Sequence, residues 1–205
     1  ASRVLQGRAL DDDQRSSAIL RRHAREGNFS LVEGIDSAMN EVKANVVMIC
    51  EKAPANDRKV PQVRQLYDAM DSLGKSLRSG VILVLQTLAP PGTARSSMKA
   101  CEGLSGLSCG KDFDFVYAPS PLDASEGFPD QGAPRVIAGS TPEAVSFVSE
   151  VFRSAQLGEC YTASSLEAAE LTVMHMHAGS CLRQALRAEF GALCDKATVG
   201  LDEVE

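Results

Sequence analysis

Between Val81 and Thr87 every residue except Gln86 is apolar or β-branched, and the run ends in Ala89-Pro90-Pro91-Gly92-Thr93, a turn that no strand or helix interior accommodates. The pattern predicts a buried strand stopped by a rigid turn. Residues Ala94 to Leu104 are compatible with a helix, so the unit reads strand, turn, helix. Its turn lies at the carboxyl end of the strand, where ligands sit in open α/β sheets.

The same reading extends along the chain. From Asp11, three acids precede a segment with bases toward its carboxyl end, a surface helix ending at Gly27. Phe29 to Val32 is a short strand candidate, and Asp36 can cap a brief helix through Val42. Val46 to Cys50 suits a buried parallel strand. Pro61 can open a helix to about Leu77, with Val63, Leu66, Met70, Leu73 and Leu77 along one face. Strand 46–50, helix 61–77 and strand 81–87 form a βαβ crossover, which predicts a parallel pair. Two more strands are expected at Phe113–Tyr117 and Arg135–Ala138, separated by a Pro, Ser, Asp and Gly-rich loop over 118–134. Thr141 caps a helix that has Pro142 in its first turn and runs to about Ser154.

From Ser165 to about Lys196 there is no proline, and Leu171, Met174, Ala178, Cys181, Ala185, Ala188 and Ala192 recur at alternating three-four spacing. Such a stripe of mostly small residues lets another helix approach closely. A long helix is expected, packed against a partner helix from this chain or from a second subunit. Gly179 can weaken or bend it.

Composition narrows the classes. The 205 residues are 44% hydrophobic and 23% charged, as in an ordinary globular domain. No run approaches the roughly 18 apolar residues of a membrane span. A net charge of −6 argues against a nucleic-acid partner, and the one basic cluster, Arg21, Arg22, His23 and Arg25, reads as a solvated helix face. Six cysteines form no CxxC pair, and Cys50, Cys181 and Cys194 lie in apolar or helical patterns; a soluble protein of a reducing intracellular compartment is the expectation, cytoplasmic and processed organellar forms being indistinguishable. The chain begins with Ala and shows no signal-peptide core at its start, which suggests a processed, trimmed or partial chain.

Five segments resemble, in order and at comparable intervals from about residue 45 onward, the NAD-dependent nucleotide-sugar dehydrogenases, such as UDP-glucose and GDP-mannose dehydrogenases. They are TLAPPGT (87–93), YAPSPLDASEG (117–127), APRVIAG (133–139), AAEL (168–171) and LCDKATVGLDEV (193–204). The resemblance implies an α/β fold: a truncated Rossmann-like parallel sheet (1–157) followed by the long helix of a helical, dimerisation-type segment (160–205). It also marks departures. No GxGxxG turn and no GGxCxxKD thiol motif occur, so the chain resembles the middle of the enzyme. The family's catalytic lysine and asparagine fall on Val173 and His177, its general-base glutamate on Ser120, and the threonine of its strand-turn motif on Leu88. Its Thr-Pro pair against the cofactor reads Ala53-Pro54, whereas Glu126, Arg135, Glu170 and Glu189 match. Losing one preorganised charge costs on the order of 100-fold in rate. The expected consequence is a fold kept after its chemistry was lost.

Other chemistry finds little support. His175 and His177 are two apart, so on a helix they point ~200° from each other and do not share a metal; no metal site is expected. Cys109, beside Lys111 in a Gly-rich stretch, is either a reactive thiol or an ordinary loop cysteine, the latter being the simpler reading. Three functions remain: a non-catalytic accessory subunit binding protein partners in a homo- or hetero-oligomer through the long helix, with no cofactor; a portion of an NAD-dependent dehydrogenase; or a regulatory binder holding a nucleotide or nucleotide-sugar at Pro91, Gly92, Thr93, Glu126 and Arg135. The first is the favoured expectation.

Overall fold

The computed structural model describes residues 14–51, 53–54, 56–58, 60–120 and 134–204. It divides into two compact units, Ala1–Lys43 and Ala44–Glu205. The first unit holds helices α1 (Gln14–Arg25) and α2 (Ile35–Asn40). Arg22, His23 and Arg25 fill the last turn of α1, where the helix dipole favours cations. Phe29 to Val32 is not a strand: the described strands pair only among themselves, and an unpaired extended segment has no ladder to hold it. Asp36 does not cap α2 either; it lies in the first turn, and Gly34 occupies the cap position without a side-chain bond.

In the second unit, strands β1 (Val46–Ile49), β2 (Ile82–Leu85), β3 (Asp114–Tyr117), β4 (Arg135–Gly139) and β5 (Cys160–Thr162) form one sheet in sequence order. The first three are parallel, as the crossover reading requires, with Val46 opposite Ile82 and Ile82 opposite Asp114. β4 departs from the expected parallel sheet by running antiparallel to β3. A parallel neighbour needs a crossover connection, whereas β3 and β4 pair as an antiparallel, returning pair. β5 pairs parallel with β4.

Helices α3 (Arg64–Ser76) and α4 (Thr93–Ser105) are the crossovers β1 to β2 and β2 to β3, and they pack on each other. Two right-handed crossovers moving the same way across a sheet put both helices on one side. α5 (Pro142–Ser154) covers the other side: Val145, Val148 and Phe152 pack with Val84, Val116, Ala118 and Ile137. Leu83, Leu85, Phe115 and Tyr117 alternate with these and are fully buried, so the central strands have no solvent face. That explains the unbroken apolar run at 81–85.

Two element ends differ from the sequence reading. Pro61 does not open α3, because residues before it are held in a local turn: Asn56 Oδ1 accepts from Arg58 N and Val60 N, and Gln62 N donates to Pro54 O. β1 ends at Ile49, leaving Cys50 exposed rather than in the core. The long helix α6 (Leu166–Ala197) matches its expected limits within a residue, with Ser165 Oγ accepting from Ala168 N at 3.1 Å. Thr141 caps α5 as expected.

Gly139, at the end of β4, lies in close contact with helix α5. A Cβ there would stand 2.8 Å from Val145 Cγ2 and 3.0 Å from Val116 Cγ2, both on stiff β-branched side chains. Gly139→Ala should therefore destabilise the fold by about 1–3 kcal/mol, read as a lowered urea midpoint with unchanged slope.

Candidate functional site

The strand-turn-helix unit gives the site its geometry. After β2 the chain is steadied by Thr87 Oγ1, which donates to Glu51 O at 2.8 Å. Gly92 then takes φ +89°, a left-handed conformation that favours glycine, and α4 begins. A helix start leaves four N–H groups without partners, and the cap position here has no side chain to serve them. The missing acceptor comes from α6. Glu170 Oε2 accepts from Gly92 N at 2.6 Å and Glu170 Oε1 from Ala94 N at 2.8 Å.

Glu170 is completely buried. An ionised carboxylate is costly to remove from water unless donors and a compensating field replace the solvent. Two backbone amides at the positive end of α4 supply both. Three residues earlier on the same face of α6, Glu167 pairs with Arg95, also in the first turn of α4: Nη2 to Oε2 is 2.9 Å, and Nε meets Oε1 in a second, shorter bond. That hydrogen bond, chiefly, holds the Glu167 carboxyl down to about 2. The start of the long helix is thus clasped to the start of α4.

Tyr117, at the carboxyl end of β3, is fully buried beside this clasp. Burial first, and the nearby Glu170 charge second, hold its phenol above the ordinary range.

Of the residues offered for a nucleotide, Pro91 is exposed, Gly92 gives its amide to Glu170, and Thr93 is buried with its N–H on Pro90 O at 3.1 Å. Arg135 is buried and engaged elsewhere: Nε donates to Leu157 O at 2.8 Å, Nη1 to Pro119 O at 3.4 Å, and the guanidinium lies 4.7 Å from the Phe152 ring centre. Burial pulls its pKa below the usual arginine value. Glu126 lies outside the described residues. Among the positions that replace the family's catalytic groups, Ser120 and His177 are exposed, whereas Val173 is only 6% exposed, a core side chain one turn beyond Glu170. Cys109 is half-buried and its thiol is pushed up mainly by burial, which disfavours the reactive thiolate; Cys101, buried, is pushed up to about 12.

Past Val173 the helix leaves the sheet. Leu171, Met174, Ala178, Cys181, Ala185, Ala188 and Ala192, the expected partner-facing stripe, are all exposed in the single chain. Larger side chains widen that face: Leu182 is 71% exposed, Leu186 59%, Phe190 43% and Leu193 58%. Sequence spacing picked out the small residues and missed these large ones beside them. Glu170 was recognisable as a matched position, but its task was not. The available signal was a helix start, Gly92-Thr93, with no side chain able to cap it.

The match to known proteins agrees with this geometry. Residues 13–156 match the model of the UDP-glucose/GDP-mannose dehydrogenase family, NAD binding domain. The chain is 28% identical over 177 residues to Protein CapL of Staphylococcus aureus, covering 84% of this chain and 41% of the relative. It is 29% identical over 130 residues to UDP-N-acetyl-D-glucosamine 6-dehydrogenase of Pseudomonas aeruginosa, covering 62% and 31%. The fold is that of a GDP-mannose dehydrogenase from Pseudomonas aeruginosa, solved as a ternary complex, with TM-score 0.87 at 19% identity over 99% of this chain and 47% of that one. The chain spans less than half the length of these relatives.

Two consequences follow from the clasp. Glu170→Ala strands two amides, one fully buried, and should cost about 2–4 kcal/mol in chemical denaturation, while Glu170→Gln, which keeps one acceptor, should cost about half as much. The Glu167 carboxyl is lower in the folded chain than its ordinary value of roughly 4.3. Its bond to Arg95 therefore contributes above that range and is lost as pH falls. The stability difference between wild type and Glu167→Gln should be largest above about pH 5, vanish toward about pH 2, and shrink in high salt.

Proposed function

The chain belongs to the UDP-glucose/GDP-mannose dehydrogenase family, and we propose that it acts there as a non-catalytic structural or accessory subunit, associating with protein partners through α6. The observation that carries this reading is the row of large apolar side chains exposed along the outer helix, Leu182, Leu186, Phe190 and Leu193. Contiguous exposed apolar surface of this kind is characteristic of interaction sites. Val173 supports the non-catalytic half: a buried valine offers no charge to an oxyanion, and Ser120 offers no carboxylate base.

NAD is the cofactor that the family implies. The GxGxxG turn that would hold its pyrophosphate is not present in the sequence, and the Gly92 and Ala94 amides at the amino end of α4 already donate to Glu170. The proposed role uses no nucleotide chemistry.

A second reading is favoured by the family match itself: the chain is the NAD-binding portion of a longer dehydrogenase that oxidises a nucleotide-sugar, as the names of the Pseudomonas relatives describe for those proteins. The two readings separate in one preparation. Light scattering of the purified chain should show a dimer or larger species, and Leu182→Glu with Leu186→Glu should return it to monomer. Titration of the chain with NAD by calorimetry should show no saturable binding. A wild-type monomer at all concentrations contradicts the association, and saturable NAD binding contradicts the first reading in favour of the second.

A further inference from the structure

We draw no further inference here: the strongest candidate, the apolar groove where α6 meets the short helical turn Leu201–Glu203, lined by Leu186, Phe190, Leu201 and Val204, adjoins the face already assigned to association, and nothing in the structure shows what covers it.

Discussion

A carboxylate without solvent has to find donors, and Glu170 finds them at the one place in this fold that has donors to spare. The first turn of α4 needs acceptors that Gly92 cannot supply, and Glu170 needs N–H groups that α6 cannot supply. Each solves the other's deficit across 78 residues of sequence. Much else follows from that constraint. On the same helix Glu167 meets Arg95, and Val173 enters the core one turn later.

The clasp also bears on function. The carboxyl end of a parallel sheet and the amino end of the following helix are where this architecture usually meets an anionic ligand. Here the anion at the helix end is part of the chain. An internal carboxylate held at 2.6 and 2.8 Å is an effective competitor because its concentration at the site is set by the fold, whereas a free nucleotide must displace it and leave it buried and unpaired. A rigid attachment at one end and an exposed apolar face along the rest suit a helix that presents itself to a partner.

Much of this was legible in the sequence where the pattern was long or punctuated. The α6 limits could be read because Ser165 caps it and no proline interrupts it, and β2 could be read because burial on both faces leaves a continuous apolar run. What was not legible was decided by distant partners. β5 is three residues with no period to detect and exists because Arg135, Val136 and Ile137 offer a neighbouring edge. Phe29 to Val32 has strand composition but no such neighbour. The antiparallel sense of β4 shows only in its pairing with β3, and composition carries no record of that. Arg135 matched a family position, but its contacts could not be read from the sequence: its guanidinium stacks on Phe152 and donates to Leu157 O.

The most direct test of this account is a nucleotide titration followed at the Gly92 and Ala94 amide resonances by NMR, using NAD and then a UDP-sugar. The expected result is that both resonances stay fixed while Glu170 holds them, with no saturable shift up to millimolar ligand. Saturable movement of either amide on addition of NAD or a UDP-sugar would mean that the carboxylate yields to a ligand. The amino end of α4 would then be a binding site, and the structural reading of this chain would fail.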